Sequence, residues 1–291
     1  PDKVSYYKEA IALAKKHEVP IVLDPVGCHA GAYRLSVVLD LIKTGAISLL
    51  RGNQSEIKAI YDALISNNEA YTSTTGKGVD GGQVEDSAVI VYRLARLINC
   101  PVVATGEEDY ISDGTRVFAV PHGHSIMTAV TGTGCLLGAV LAAFFSAYYP
   151  CKNRLSIGEF LAYALAYYGL AGESAVQVSG IKPGSFSVAF MDSLYTLDDA
   201  VLMSENRIRP VVVPDQLQVY FISGTQDVEL NEHRLLSIVE DACRGGVTCF
   251  QFREKGVGTL VGQQKLELAQ QLKQICAKYN VLYIINDDVD L

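Results

Sequence analysis

The segment 130–135 has residue types and spacing suited to binding a phosphate. It reads Val-Thr-Gly-Thr-Gly-Cys and is followed by an apolar run over 136–145. Because glycine permits a tight turn, several backbone N–H groups can point into one small volume where a helix begins. The residues of this predicted anion turn are Thr131, Gly132, Thr133 and Gly134. A plain loop-to-helix turn is the alternative that the residues alone leave open.

Cys135 follows the anion turn, at the predicted start of the helix. Aligned peptide dipoles place about half a positive charge at a helix start, which favours phosphate binding and lowers the pKa of a thiol. We therefore predict that Cys135 is a catalytic residue. The alternative is a small, buried cysteine that only fills the core.

Polar side chains follow three short apolar runs that predict buried parallel strands. Asp24 follows the first run, Arg51 and Glu56 the second, and Thr105 the third. Because the carboxyl ends of parallel strands meet at one edge of an open α/β sheet, these residues could surround the anion turn. Such a set suits phosphoryl transfer, in which backbone N–H groups and carboxylate-held Mg²⁺ stabilise the phosphate charge and a base accepts the proton of an alcohol.

Helix capping explains part of the same set. Asp24 could be a turn or N-cap residue, and Asn53 or Ser55 could cap a helix that has Glu56 in its first turn. Capping does not account for Arg51. The sequence also lacks the Walker A lysine pattern, so a kinase of this kind would have a different architecture.

The order of predicted elements is that of an α/β protein. Strands are predicted at 20–23, 46–50 and 101–104, with a hairpin of 110–112 and 116–120. Helices are predicted at 5–18, 34–43, 85–99, 156–179 and 187–200, and 65–84 has the composition of a polar loop. We expect a doubly wound sheet within residues 1–200 and a linker at 201–216.

A second strand and helix series fills residues 217–291. Strands are predicted at 219–223, 247–252 and 281–285, and helices at 231–243 and 260–278. Polar residues lie at the ends of the second and third strands, namely Gln251, Arg253, Lys255, Asn286, Asp287 and Asp290. Cationic groups with a carboxylate-held metal suit a pyrophosphate, and an ordinary surface salt-bridge cluster is the alternative.

Composition restricts the class of protein. The 291 residues are 49% hydrophobic and carry a formal net charge of −8, which argues against nucleic-acid and acidic-membrane partners. Seven cysteines without C-x-x-C pairs indicate reduced thiols and a cytoplasmic location. The apolar helix after the anion turn is shorter than the roughly 20 residues that a bilayer requires, so we expect no membrane association.

The four motifs of the first part resemble the ordered motifs of hydroxyethylthiazole kinase, a ribokinase-like enzyme of thiamine synthesis. They are Asp24-Pro-Val-Gly, Arg51-Gly-Asn-x-Ser-Glu56-Ile, Thr105-Gly-Glu and Val130-Thr-Gly-Thr-Gly-Cys135. The resemblance spans about residues 5–200 and implies a ribokinase-like α/β/α domain. Related sugar kinases carry aspartate at the position of Cys135. At 28–31, Cys-His-Ala-Gly departs from the glycine and threonine often found in the family.

The resemblance implies ATP-dependent phosphorylation of 4-methyl-5-(2-hydroxyethyl)thiazole with Mg²⁺, by a homo-oligomer, expected to be a trimer. The implied roles are ATP binding by Arg51 and Thr105, thiazole binding by Gly132, and the magnesium and phosphate region for Asp24 and Glu56. Cys135 would lie beside the reacting hydroxyl.

The second part resembles the opening of thiamine-phosphate synthase, which has a Gln-x-Arg-x-Lys strand end and an Asn-Asp-x-x-Asp strand end. The resemblance implies that residues 217–291 form the first units of a (β/α)8 TIM barrel. Gln251, Arg253, Lys255 and Asn286 would bind hydroxymethylpyrimidine diphosphate, and Asp287 would hold Mg²⁺. The kinase product is then the second substrate of the synthase, which implies a bifunctional enzyme.

We expect the chain to be a fragment of that enzyme, with a kinase domain that lacks its first segment and an incomplete synthase barrel. Such a fragment would have no synthase activity and weak or no kinase activity. Another ribokinase-like small-molecule kinase is one alternative. A non-catalytic nucleotide-binding module, which keeps the anion turn only for stability, is the other.

Overall fold

The computed structural model describes residues 2–66, 86–148 and 155–288. These residues form two compact units, Pro1–Val211 and Val212–Leu291. Most of the predicted polar loop at 65–84, and Asp290 of the last strand end, lie outside the described residues.

The first unit contains helices and strands, which alternate in its opening part. Its helices are α1 (Asp2–Lys16), α2 (Ala32–Ile42), α3 (Gln54–Ser66), α4 (Ser87–Ile98), α5 (Thr133–Ala147), α6 (Ile157–Ser179), α7 (Pro183–Thr196) and α8 (Asp199–Glu205). Its strands are β1 (Val22–Leu23), β2 (Leu49–Asn53), β3 (Val102–Thr105), β4 (Asp109–Ser112), β5 (Val117–Val120) and β6 (Arg209–Val211). The alternation predicted from the sequence is thus present.

The six described strands form one mixed sheet in the order β1-β2-β3-β4-β5-β6. The pairs β1–β2 and β2–β3 are parallel, and β4, β5 and β6 add in antiparallel fashion. The described strands lie in sequence order, without the reversal of strand order that a doubly wound sheet shows, and the β4–β5 hairpin pairs directly with β3.

Helices cover both faces of this sheet. Leu49 and Val103 belong to an apolar core that also includes residues of α5, α6 and α7. Gly52, on the opposite face because strand side chains alternate, lies against Ile57 of α3. The first unit is therefore a three-layer α/β/α structure.

The segment predicted as a linker contains regular structure. Residues 201–216 include the end of α8 and all of β6, in which Pro210 pairs with Phe118 of β5. Proline is tolerated there because β6 is an edge strand. The helix predicted at 187–200 begins earlier, with Pro183 at the start of α7, since the first turn of a helix needs no N–H from that residue.

The second unit is a three-stranded parallel sheet with two helices. Its elements are β7 (Tyr220–Ser223), α9 (Glu232–Arg244), β8 (Cys249–Phe252), α10 (Gly262–Lys278) and β9 (Leu282–Ile285). Phe250 and Phe252 pack against Leu235 of α9 and Leu268 of α10. This arrangement is consistent with the start of a βα barrel. In neither unit does a described helix combine the length and apolar character needed to span a membrane.

Candidate functional site

The anion turn lies at the start of α5, as its glycines predict. Gly132 has φ of 100°, a left-handed conformation that favours glycine, and α5 begins at the next residue. The hydroxyl of Thr133 donates to the carbonyl oxygens of Met127 and Val130 at 2.8 and 3.0 Å, which fixes the turn. Gly132, Gly134 and Cys135 are exposed at the helix start. An exposed Cys135 does not fit the alternative of a buried core residue.

Arg51 connects two parts of the site that are far apart in the sequence. Its Nη1 donates to Oδ2 of Asp24 at 2.6 Å and to the carbonyl oxygen of Gly134 at 2.7 Å. The side chain of Arg51 is buried, and its Nε has no hydrogen-bond partner among the described residues. The structure therefore brings the first strand end and the anion turn together through one guanidinium group.

The register of the sheet explains why Arg51 reaches the anion turn. Arg51 pairs with Val103 in the parallel ladder, so their side chains lie on the same face. Val103 and Leu49, two residues before Arg51, both pack in the core that includes α5. Strand alternation thus directs Arg51 toward α5, a direction that the sequence spacing alone does not give.

Asp24 and Glu56 form a neighbouring pair of carboxylates. Burial raises the pKa of Asp24 above its ordinary value, the Arg51 guanidinium lowers it, and the charge of Glu56 raises it again. Two carboxylates close together in a partly buried position favour the binding of a cation. The guanidinium group of Arg51 compensates part of their negative charge.

Glu56 also caps α3, as the alternative interpretation of this stretch proposed. Its backbone N–H donates to Oδ1 of Asn53 at 2.9 Å, and its Oε2 accepts from the N–H of Asn53 at 2.8 Å. These reciprocal bonds are a capping box. The second oxygen, Oε1, accepts from the N–H of Gly27 at 2.7 Å. Glu56 therefore ties the loop after β1 to the end of β2.

The donor set fits a magnesium ion that is shared with a ligand. Mg²⁺ in proteins is commonly held by one or two carboxylates together with waters and substrate phosphates. Asp24 uses one oxygen for Arg51, while both oxygens of Glu56 take backbone N–H groups. No cluster of three or more His, Cys, Asp or Glu residues suited to a metal occurs in the described ranges. An ion held by these two carboxylates therefore needs further ligands, such as waters or phosphate oxygens.

Thr105 lies at the same edge of the sheet, beside the end of β2. It pairs with Asn53 at the end of β2, and its hydroxyl donates to the carbonyl oxygen of Gly52 at 3.3 Å. Within the described structure, no hydrogen bond joins Thr105 to Asp24 or Arg51. Its predicted ATP-binding role stays a prediction.

Asp109 is a residue of this edge that the sequence interpretation missed. Its Oδ1 accepts from the N–H of Gly106 at 3.0 Å and closes the loop after Thr105. Burial raises the pKa of Asp109 to about 7, while the Gly106 N–H and the Arg51 charge lower it. The run Thr-Gly-Glu-Glu-Asp at 105–109 is visible in the sequence, but nothing in it distinguishes which acid turns inward.

In the second unit, the two predicted strand ends meet. The ammonium group of Lys255 forms an ion pair with Asp287, and Lys265 pairs with Asp288 at 2.7 Å. The bond from Lys255 lowers the pKa of Asp287. The backbone N–H of Asn286 donates to the carbonyl oxygen of Phe252 at 3.0 Å. The ends of β8 and β9 are therefore adjacent.

Gln251 and Asn286, which were also predicted to bind the ligand, lie at different places on this sheet. Gln251 pairs with Ile222 and Ile284, on the face opposite to the core that holds Phe250 and Phe252. Nδ2 of Asn286 is buried and has no hydrogen-bond partner within the described part of the chain. Such a donor is suited to an oxygen of a ligand or to a water. Arg253 is exposed beside this edge.

Glu254, between two predicted cationic residues, was not predicted to have a role of its own. It is buried, and its carboxylate accepts from the N–H of Thr225 at 2.9 Å and the N–H of Leu260 at 3.0 Å, as well as from the Thr225 hydroxyl. The surface salt-bridge alternative therefore does not describe Glu254, which joins the loops after β7 and β8. The sequence does carry a signal for this. Glu254 lies between Arg253 and Lys255 at a strand end, and because side chains alternate there, it points to the opposite side from its two exposed neighbours.

Comparisons with known proteins give two family matches. Residues 1–200 match the family model of the hydroxyethylthiazole kinase family, and residues 219–291 match that of thiamine monophosphate synthase. A hydroxyethylthiazole kinase of Streptococcus agalactiae is 44% identical over 200 residues, which cover 68% of this chain and 73% of that protein. One from Macrococcus caseolyticus is 36% identical over 204 residues, covering 70% and 72%.

A solved structure agrees with the sequence relatives. It is the structure of a hydroxyethylthiazole kinase protein from Pyrococcus horikoshii, with 32% identity, a TM-score of 0.57 and coverage of 70% of each chain. Fold and site together thus define a mixed α/β protein of kinase type. The chain belongs to the hydroxyethylthiazole kinase family. The resemblances predicted for about residues 5–200 and 217–291 are both confirmed.

Proposed function

We propose that the first unit transfers the terminal phosphoryl group of ATP to the hydroxyl of 4-methyl-5-(2-hydroxyethyl)thiazole. The contact of Arg51 with both Asp24 and the Gly134 carbonyl supports this most directly, because it joins a carboxylate to the anion turn. Phosphoryl transfer depends mainly on positioned positive and dipolar groups, which this arrangement supplies.

Each residue of the site has a role in this proposal. The backbone N–H groups of the anion turn bind the transferred phosphate, and Cys135 lies beside the hydroxyl that accepts it. Arg51 orients the turn and adds positive charge, and Thr105 contacts the nucleotide. Asp24 and Glu56 hold Mg²⁺, which neutralises charge on the ATP phosphates when bound.

A pair of glycine variants tests the role of the anion turn. Gly132 and Gly180 both have positive φ, at 100° and 61°, and a Cβ at either position would meet no atom within 4 Å. Gly132→Ala and Gly180→Ala therefore both introduce backbone strain without a steric clash, but only the first lies in the anion turn. Thiazole phosphate formation from ATP is measured with the 291-residue chain, and the rise in Tm with Mg²⁺ and ATP reports binding.

We expect Gly132→Ala to lower turnover at least about tenfold and to reduce the ATP-dependent rise in Tm, and Gly180→Ala to retain both. Phosphorylation of a different alcohol in a substrate screen would favour another small-molecule kinase. Because a fragment is expected to turn over weakly or not at all, binding decides the test. If Mg²⁺ and ATP do not raise the Tm of the chain, the proposed kinase function is wrong and a non-catalytic module is favoured.

We also propose that the second unit binds hydroxymethylpyrimidine diphosphate and couples it with the thiazole phosphate to give thiamine phosphate. The adjacent ends of β8 and β9 support this, since Lys255 and the buried Nδ2 of Asn286 lie at one edge. Gln251, Arg253 and Lys255 bind the pyrophosphate group of this substrate, and Asn286 helps to bind it. Asp287, which pairs with Lys255 in the structure, would hold Mg²⁺, and the ion would neutralise charge on the diphosphate.

The two activities together define a bifunctional enzyme of thiamine biosynthesis, because the product of the first reaction is a substrate of the second. A lysine pair tests the second site. Lys255 and Lys278 are both exposed and each pairs with a carboxylate, Asp287 and Glu240 respectively. We expect Lys255→Ala to weaken binding of inorganic pyrophosphate with Mg²⁺, as measured by calorimetry, and Lys278→Ala to leave it unchanged. Equal affinities in both variants would contradict the assignment.

A further inference from the structure

Helix α6 provides the surface on which the chain from β5 to the anion turn lies. A Cβ on Gly169 would come within 2.5 Å of Cβ of His122, and one on Gly172 within 2.6 Å of the Met127 sulfur. Real Cβ atoms do not approach so closely. Glycine is therefore required at 169, where the His122 carbonyl carbon is also within 2.7 Å, whereas a Cβ at 172 would require the Met127 side chain to move. The segment that carries the anion turn is thus in direct contact with α6 at two points.

Tyr168, beside Gly169 on α6, contacts the first turn of α5. Its hydroxyl donates to the carbonyl oxygen of Thr133 at 2.5 Å, and the side chain is buried. Phe190 of α7 packs edge-on against the Tyr168 ring, with centroids 5.0 Å apart and an interplanar angle of 85°. The ring is therefore held from α7 while its hydroxyl holds α5.

Two consecutive carbonyl groups of the anion turn are held from two sides. Tyr168 binds that of Thr133, and Arg51 binds that of Gly134 at 2.7 Å. Burial raises the pKa of Tyr168 well above its usual range, the Arg51 charge lowers it and the charge of Cys135 raises it. The hydroxyl hence keeps its proton at neutral pH and remains a donor.

We propose that Tyr168 is a positioning residue for the anion turn: it fixes the peptide group that joins Thr133 to Gly134, so that the N–H of Gly134, and Cys135, face the ligand. Tyr168 does not itself touch the substrate. The inference rests on the proposed kinase function. It adds a residue that comes from a helix with no predicted site residue, 35 positions after Thr133.

The neighbouring tyrosine supplies a matched control. Tyr167 lies on the same helix, and its hydroxyl donates to the carbonyl oxygen of Leu194 in α7. Tyr168→Phe and Tyr167→Phe each remove one hydroxyl and one hydrogen bond to a carbonyl, but only the first affects the anion turn. Two measurements on the 291-residue chain separate them: the affinity for ATP with Mg²⁺ by calorimetry, and amide hydrogen exchange in the first turn of α5.

We expect Tyr168→Phe to raise the Kd for ATP about three- to tenfold and to accelerate exchange at the start of α5, in line with the loss of one hydrogen bond. Tyr167→Phe should change the Kd less than about twofold, although both variants lower Tm to a similar extent. A merely structural role of Tyr168 would not produce this difference in the Kd for ATP between the two variants.

Unchanged exchange at the start of α5 in Tyr168→Phe would overturn the inference, as would equal losses of ATP affinity in the two variants. If the unmodified chain does not bind ATP, the kinase proposal fails, and the exchange measurement still decides whether Tyr168 positions the turn.

Discussion

The Nη1 atom of Arg51 lies 2.6 Å from Oδ2 of Asp24, in an ion pair whose side chains are 6% and 23% exposed. Removing one partner of such a pair leaves the other charge without compensation in a poorly solvated place. The same Nη1 atom binds the Gly134 carbonyl, so the pair couples the stability of the fold to the geometry of the anion turn.

Replacing Arg51 by methionine tests this coupling. We expect Arg51→Met to lower the free energy of unfolding by about 3 kcal/mol, because Asp24 loses its counter-charge. Arg209→Met, which breaks the more exposed pair with Glu108, should cost less than about 1 kcal/mol. Urea denaturation of both variants gives the comparison, and equal losses would contradict a special role for Arg51.

The Arg51→Met variant should also respond differently to pH. Arg51 lowers the pKa of Asp24 against the effect of burial, so its removal raises that pKa further above the unfolded value of 3.8. A carboxyl with a raised pKa in the folded state binds its proton more tightly there. The variant therefore loses stability, relative to the unmodified chain, as the pH rises above about 4.

Asp109 provides a second pH-dependent effect. Burial raises its pKa to about 7 from 3.8, so the folded state binds the proton more tightly than the unfolded state between these values. Stability due to Asp109 is present at low pH and is lost as the pH rises toward 7. We expect Asp109→Asn to match the unmodified chain near pH 4 and to exceed its stability at pH 8.

Denaturation at several pH values checks this expectation, with Glu107→Gln as the control because Glu107 is an exposed acid of the same loop. The charged groups near Asp109 are Arg51 and Glu108, and Arg209 binds Glu108. A stability difference between Asp109→Asn and the unmodified chain that stays constant from pH 4 to 8 would contradict the raised pKa.

Two helical glycines should respond in opposite ways to alanine. Gly169→Ala places a Cβ 2.7 Å from the carbonyl carbon of His122, which is backbone and cannot turn aside, so we expect a loss of about 1–3 kcal/mol. Gly184 in α7 has open space, and Gly184→Ala should be neutral or stabilising by up to about 1 kcal/mol. Thermal unfolding distinguishes the two, and equal effects would contradict close packing of α6 on the segment after β5.

Glu254 should be required for the loops of the second unit. Glu254→Ala leaves the N–H groups of Thr225 and Leu260 without their acceptor, so we expect a loss of about 3 kcal/mol. Glu267→Ala, at an exposed position of α10 bonded to Gln263, is the control and should cost less than about 1 kcal/mol. Amide hydrogen exchange at Thr225 and Leu260 locates the effect, and unchanged exchange there would contradict it.

Some of these features follow from the sequence alone. The strands and helices were predictable because their apolar periodicity is local, and the turn at Gly132 because only glycine readily adopts its φ of 100°. The capping box of Asn53 and Glu56 is equally local, since its bonds span three positions. The edge strand β6 was missed, because two prolines suggested a linker and only the pairing with β5 makes it a strand.

The tertiary structure decided how the site is assembled. Arg51 and Gly134 are 83 positions apart, and their contact depends on the face to which β2 directs alternate side chains and on the place where α5 packs. The contact of Tyr168 with Thr133, 35 positions earlier in the chain, depends on packing in the same way. The spacing of residues in the sequence predicts which functional groups lie together within one turn or one strand end. Contacts between distant elements are set by packing and sheet register, which no local pattern contains.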